Sequence, residues 1–334
     1  MQEVGRWMQK VKLETKHRMI KKLLFALLIL ISFHGFSQNI SLSKQAKVSI
    51  LTCGTGPESY AMYGHTGIRI QDVSQQIDVV YNYGAFDFDT PNFIGRFVKG
   101  DLQYFVTNGS YIDFYYNYQA ENREIIEQDL ALSPAQINQL FQQLNASVYS
   151  DDRFYTYKFI DRNCTTMVVD KINNTLGSEY IKSQNSNQSY REILYPYMSD
   201  FYMKLGIQLI FGAKVDEPAT RLFLPYEFKK AISNTKVNGT TIEQSNKTIL
   251  EERKTDIPFN WLNSIYSLIG ILFLLVILGK KWLKISYLIF AGLLGVFFSL
   301  VGLYSLHEEI LWNYNILLFN PLLLVFAWHY WKGN

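Results

Sequence analysis

Three apolar stretches, 261–278, 285–303 and 316–331, set the first limit on what this chain can fold into. Each approaches the ~20 residues that span a hydrocarbon core, although the third is short and contains Pro321. Three in succession predict a helical membrane domain over 259–334. Lys280, Lys281 and Lys284 sit between the first two stretches. Positive residues stay on the cytoplasmic side, so that loop is predicted inside and the preceding domain outside. The loop 307–313 then emerges on the domain's side.

A further apolar run, 23–33, follows Lys21 and Lys22 and precedes small residues and Ser37-Gln38. It is short for a span and reads as an export signal cleaved near Ser37, with Met19 as an alternative initiator and an uncleaved anchor as the rival reading. Residues 1–38 are thus preface and signal, and 39–258 an exterior domain whose polar segment 236–255 reads as a stalk. Signal and lysines agree on a multi-pass protein of the cytoplasmic (inner) membrane with its globular domain in the periplasm. The net charge of +3, with no basic run interleaved with aromatics, excludes nucleic acid as a partner.

The exterior domain reads as α+β. Strand patterns cover 47–52, 123–132 and 155–160, and 65–72 with 77–83 form an antiparallel hairpin across Ser74-Gln75-Gln76. Ser133-Pro134-Ala135-Gln136 predicts a capped helix start, followed by an apolar face of Leu140, Phe141 and Leu144. A second helix carries Met167, Val168, Ile172 and Leu176 and stops at Gly177, which places Cys164 in its first turn with Asp161 or Asn163 as cap.

That position has chemical consequences. A thiolate is favoured at a helix N-terminus, and the free amides there can serve an oxyanion. Such a cysteine needs a base. His17 precedes the signal, His34 lies in it, and His307 and His329 belong to the tail, so His65 is the imidazole of the exterior domain. Hairpin register puts Asn82 or Tyr83 opposite His65, and a one-residue slip exchanges them. Asn82 is favoured because its amide oxygen can accept from a ring N–H. The rival structural reading pairs Cys53 with Cys164 in a disulfide. Asp87 and Asp89 alternate with Phe86 and Phe88 as a solvated strand face, without a ligand-spaced His/Cys/Asp cluster. No metal and no cofactor is expected. Arg123 suits either a phosphate or an ion pair with Glu121 or Asp161.

The order of these motifs, histidine on a hairpin strand and Asn163-Cys164 opening a later helix, resembles the circularly permuted papain-like folds of the NlpC type. A closer resemblance is carried by Leu51-Thr52-Cys53-Gly54-Thr55-Gly56, Gly64-His65-Thr66-Gly67-Ile68-Arg69 and the stretch 81–93. Glu121-Asn122-Arg123, Asp161-Arg162-Asn163-Cys164, Phe223-Leu224-Pro225 and the outer loop from His307 to Asn320-Pro321 add to it. Together they resemble the Lnb-like lipoprotein N-acyltransferases of Bacteroidota, with a periplasmic N-terminal domain and a C-terminal membrane domain; further membrane helices after Trp331 would fit that pattern. The resemblance implies that a phospholipid donates a fatty acyl chain, through a Cys164 thioester, to the α-amine of diacylglyceryl lipoproteins. It implies Cys164 as nucleophile, His65 as base and Asn82 as orienting group, with Tyr83, Arg123, Asn163 and His307 on the substrate side. His307, Glu308 and Glu309, with Asn313, either form a solvated connector or line the entry for a lipid ester. The same Cys/His pair also suits a membrane-anchored lipid esterase or a peptidoglycan amidase or peptidase, and a bridged Cys164 would leave a non-catalytic binding module.

Overall fold

A computed structural model of the chain describes residues 40–184, 187–197, 200–253 and 258–333, with Met19, Lys21 and Lys22. The predicted export run 23–33 and its cleavage point lie outside them. The strands are β1 (Lys47–Cys53), β2 (His65–Asp72), β3 (Ile77–Ala85), β4 (Gln103–Ser110), β5 (Ile125–Leu130), β6 (Phe154–Thr156), β7 (Lys236–Val237), β8 (Thr240–Thr241) and β9 (Glu243–Leu250). The helices are α1 (Phe93–Lys99), α2 (Tyr111–Ala120), α3 (Pro134–Tyr149), α4 (Cys164–Leu176), α5 (Tyr190–Leu194), α6 (Phe201–Ile210), α7 (Pro225–Asn234), α8 (Ile265–Leu278), α9 (Lys281–Tyr304) and α10 (Leu322–Lys332).

Seven strands form one antiparallel sheet in the order β6-β4-β3-β2-β1-β5-β9. Strand β1 is central and covered on both faces, which is why Val48, Ile50, Leu51 and Cys53 are all buried rather than alternating. On one face Ile50, Ile68, Ile70 and Tyr81 pack against Leu140 and Leu144 of α3, Val168 and Ile172 of α4 and Phe228 of α7. On the other, Leu51, Cys53 and Val80 meet Phe114 and Tyr118 of α2. Burying an aliphatic or aromatic side chain of this size stabilises by about 1.5–3 kcal/mol, so these two layers fix the sheet between helices.

The α+β reading and the hairpin stand, and α3 begins with the expected reciprocal cap between Ser133 and Gln136. Four expectations change. The segment 236–255 is not a stalk: its first part forms the β7–β8 hairpin and β9, which pairs with β5 from Ile126↔Thr248 to Leu130↔Glu243. An edge strand with much of its length in solvent can be polar, so its composition imitated a linker. The strand over 155–160 ends at Thr156, where the chain folds back through a bridge between Lys158 and Arg162. The strand over 123–132 shortens to β5. Asp87 and Asp89 lie in a turn closed by Asp89 N–H donating to Asp87 Oδ1 (2.9 Å), not on a strand face.

Among the described residues, Lys281–Tyr304 and the interrupted stretch Glu308–Lys332 are long and apolar enough to cross a membrane; α8 is apolar but shorter. The two longer elements meet at Gly292 and Gly295, where an added methyl would strike Leu324 and Phe319. The chain between them is bound to the sheet domain. Leu306 N–H donates to Lys99 O (2.6 Å), Ser305 Oγ to Val98 O (3.1 Å), and Gly212 N–H to Glu309 O (2.8 Å).

Candidate active site

His65 opens β2 and Cys164 opens α4. Residues His65, Gly67 and Arg69 share one face of β2, whereas Thr66 and Ile68 face the core on which α4 packs. The two groups therefore meet at the end of the strand. Thr66 Oγ1 and Thr165 Oγ1, both buried, are 3.0 Å apart and tie the strand to the helix beside the two functional side chains. Gly84, with φ +94° at an irregularity in β3, sits against Cys164, 3.7 Å from its Cβ to the position of an added methyl. A side chain there would be strained by the positive φ, although its first carbon would meet the cysteine only at ordinary contact distance.

The third group is Asn82, but not by direct opposition. Asn82 pairs with Gly67, two residues along β2, and its Oδ1 accepts from His65 Nε2 at 3.1 Å across the diagonal. Gly67 leaves room for that reach: a methyl there would crowd it, lying 3.3 Å from Asn82 Oδ1 and 3.1 Å from Val80 Cγ1. With Nε2 held by Asn82, Nδ1 is the nitrogen left for sulfur. Tyr83 lies on the other face, fully buried in the core with its ring on the cavity wall, and burial pushes its phenol up to about 12.

Asn163 is the cap of α4. Its Oδ1 accepts from Thr165 N–H (2.9 Å) and Thr166 N–H (3.0 Å), and its Nδ2 donates to Phe159 O (2.7 Å) and Phe223 O (2.8 Å). This revises the expected oxyanion site. Two of the helix-start amides are engaged by the cap, which leaves the Cys164 amide as the donor that Asn163 does not occupy. The Thr66 backbone N–H points at the Cys164 sulfur.

Both cysteines are free thiols. They differ in charge preference. Burial raises the Cys53 pKa to about 12, against weaker opposing effects of Tyr118 and Arg123. Burial opposes charge at Cys164 too, yet the imidazolium of His65, a hydrogen bond to it, and donors from Thr66 and Thr165 outweigh that, and its pKa falls. Burial likewise opposes a charged His65, but the neighbouring Cys164 thiolate and hydrogen bonds to Cys164 and Asn82 raise it. Each group thus shifts the other toward its charged form, Cys164 toward thiolate and His65 toward imidazolium.

Both open into one cavity of about 440 Å³, within the range of lipid- and drug-sized sites. One wall is aromatic: Phe86, Phe88, Phe93 and Phe97 touch in series, with centroids 4.9 Å apart for Phe86–Phe88 and 5.1 Å for Phe88–Phe93. Another wall is the loop between the two membrane-length elements. His307 lines the cavity and donates from Nε2 to Phe97 O at 2.8 Å, and Glu309 and Ile310 line it beside Phe159 and Phe211. Asn313 has a different place, donating to Leu209 O and Ile210 O at the end of α6. Arg123 does not line the cavity: it donates to Gly54 O (2.9 Å), pairs with Glu121 (2.7 Å) and covers the Tyr118 ring. Sequence reasoning missed the phenylalanine wall, whose signal was the spacing of Phe86, Phe88, Phe93 and Phe97. It also left Thr66 and Thr165 unassigned, whereas Glu309 lines the cavity as one of the two readings of its loop has it. Among the described residues no group of three or more His, Cys, Asp and Glu side chains is placed to hold a metal.

Two outcomes are expected. Replacing Asn163 by Ala removes a cap and strands two carbonyls, so the thermal midpoint in detergent should fall by an amount equivalent to about 3 kcal/mol, with Asn163→Asp losing roughly half of that. The pH profile of iodoacetamide labelling at Cys164 should have its midpoint below that of an ordinary thiol. His65→Ala removes the cation that lowers the Cys164 pKa, so the midpoint must move upward; an unmoved midpoint would disconnect the two groups.

Residues 33–195 match the family model described as the Lnb N-terminal periplasmic domain. The matched region contains His65, Asn82 and Cys164 and ends within the α5 turn region, before the membrane-length elements. No curated protein and no solved structure matches the chain. The family match supports kinship with Lnb-like proteins and, with the two apolar elements, points to a membrane protein that carries a periplasmic domain.

Proposed function

We propose that this chain is a cysteine acyltransferase of the Lnb type, moving a fatty acyl chain from a membrane phospholipid to the N-terminal amine of diacylglyceryl lipoproteins. The observation that carries this reading is the shared cavity: a Cys164–His65–Asn82 group opens into an apolar space walled by phenylalanines and by the loop joining two membrane-length elements. A soluble peptide substrate has no use for such a wall. An acyl chain leaving the outer leaflet does. The exposed apolar side chains of Ile94, Phe97 and Val98 on α1, next to Leu306, extend the same surface toward the lipid.

In this mechanism the Cys164 thiolate attacks the ester carbonyl and the Cys164 amide donates to the oxyanion. Imidazolium His65 protonates the leaving alkoxide, giving a lysolipid, a thioester and a neutral imidazole. The incoming amine then attacks the thioester, the C–S bond breaks, and His65 takes a proton from nitrogen, restoring the ion pair. Asn82 holds Nε2 and so keeps Nδ1 toward sulfur throughout. The order of hairpin histidine and helix-start cysteine also fits a permuted papain-like domain of the NlpC type, with the membrane elements as a multi-pass domain.

The purified protein in vesicles of dipalmitoyl phosphatidylethanolamine and phosphatidylglycerol should gain one palmitoyl group, released by hydroxylamine and absent in Cys164→Ala. Adding a diacylglyceryl-cysteinyl peptide should move that group to the peptide's α-amine. His65→Ala should slow transfer by about 10²–10⁴-fold, while Cys53→Ala keeps it. Release of free palmitate with no peptide product would identify a lipid hydrolase instead.

A further inference from the structure

The cavity contains one carboxylate that this mechanism does not use. Glu309 lines the cavity and is only 2% exposed. Its Oε1 accepts from Ile160 N–H at 3.2 Å, four residues before Cys164. Its Oε2 is buried and has no hydrogen-bond partner among the described residues. Leaving such an oxygen unpaired costs roughly 1–3 kcal/mol, more for a charged group. Among the described residues no Lys or Arg pairs with Glu309, and the nearby His307 gives its Nε2–H to Phe97 O. Lys158 and Lys214 both turn instead to Glu308, and Lys214 also to Asp161. A buried carboxylate oxygen left without a partner in a cavity wall suits a hydrogen-bond-donating, cationic ligand that arrives and leaves.

Resting on the acyl-transfer reading above, we propose that Glu309 is the acceptor subsite: it binds the α-ammonium of the incoming lipoprotein and takes one of its protons. An α-amine titrates near 7.7–8.0 and arrives largely as the ammonium, which cannot attack a thioester. Transfer of one proton from nitrogen to Glu309 leaves a neutral amine with its lone pair. That nitrogen forms the C–N bond, the C–S bond breaks, and the second proton goes to neutral His65; Glu309 later releases its proton to water. The phospholipid step needs no such group, because its leaving alkoxide is protonated by His65. Tyr157 links the two ends of the site. It lines the same cavity, and its phenol is raised well above its ordinary range by burial first, then by negative charge at Cys164 and at Glu309 among its neighbours.

The test starts from isolated palmitoyl-enzyme and compares two nucleophiles: the diacylglyceryl-cysteinyl peptide, cationic when it arrives, and hydroxylamine, neutral at pH 7. In Glu309→Gln, which keeps an acceptor oxygen for Ile160 N–H but no charge, the peptide-to-hydroxylamine rate ratio should fall at least tenfold. In Glu308→Gln, which loosens the loop without touching this oxygen, the ratio should hold. An unchanged ratio in Glu309→Gln overturns the subsite, and so does an equal fall of both rates, which would make Glu309 a loop anchor only. Failure of the wild-type protein to form any thioester would overturn the acyl-transfer reading itself, a result visible before the variants are compared.

Discussion

The side chain of Asn163 is the contact on which the rest of this site depends. It caps the start of α4, holds two remote carbonyls and precedes the nucleophile by one residue. A carboxylate there would cap the amides equally well but leave Phe159 O and Phe223 O without donors, and a serine would not reach them. The amide alone has both an acceptor and donors. It therefore fixes the start of α4 against the turn 158–162 and the Phe223-Leu224-Pro225 segment at once, and these are the pieces that wall the cavity around Cys164. An orienting contact placed this close to sulfur transmits any backbone shift directly to the reacting atom.

A second set of contacts joins this framework to the apolar end of the chain. Lys158 donates to Leu306 O (2.7 Å), and Lys214 bridges Asp161 and Glu308. Exposed ion pairs contribute about 0–1 kcal/mol each, so charge alone would not hold this loop. The backbone bonds of Gly212 to Glu309 O and Ala213 to Leu311 O, and the buried side chains of Ser305, Glu309 and Asn313, carry more of the registration. The result is a wall of the active-site cavity supplied by residues more than a hundred positions after the nucleophile. Two membrane-length elements and the sheet domain are thus registered against each other by the same loop.

Much of this was legible because the signals were local. Apolar periodicity located the hairpin and α4, the Ser133-to-Gln136 spacing located α3, and elimination among five histidines singled out His65. What failed depended on pairing at a distance. Strand β9 is polar since it lies at an edge, and nothing within 236–255 says that β5 awaits it. The expected registers, with Asn82 or Tyr83 opposite His65, were two and one residues off: Asn82 opposes Gly67, and its contact with His65 runs diagonally past that glycine, where a methyl would crowd it. Glu309 was visible as one of three polar residues in a connector. That it is buried, whereas Glu308 is exposed, follows from the docking of the loop and from no property of the sequence around it.

The electrostatics of the two proposed half-reactions explain why the site should contain opposite charges kept apart. The first step needs a thiolate, and in a poorly solvated cavity that anion exists only because His65 carries the compensating proton. A second anion adjacent to sulfur would raise the thiol pKa and undo this. Glu309 is attached instead to the loop and to Ile160 N–H, on a different wall, where its charge is felt by Tyr157 rather than registering among the principal influences on Cys164. Once the thioester has formed, the sulfur is neutral and His65 has given up its proton, and among the described residues Glu309 is the carboxyl group that lines the cavity. The chamber then favours a cation, which is the state in which an amine arrives. The order of the two substrates would thus be set by which charge remains after the first has reacted, with no moving part required.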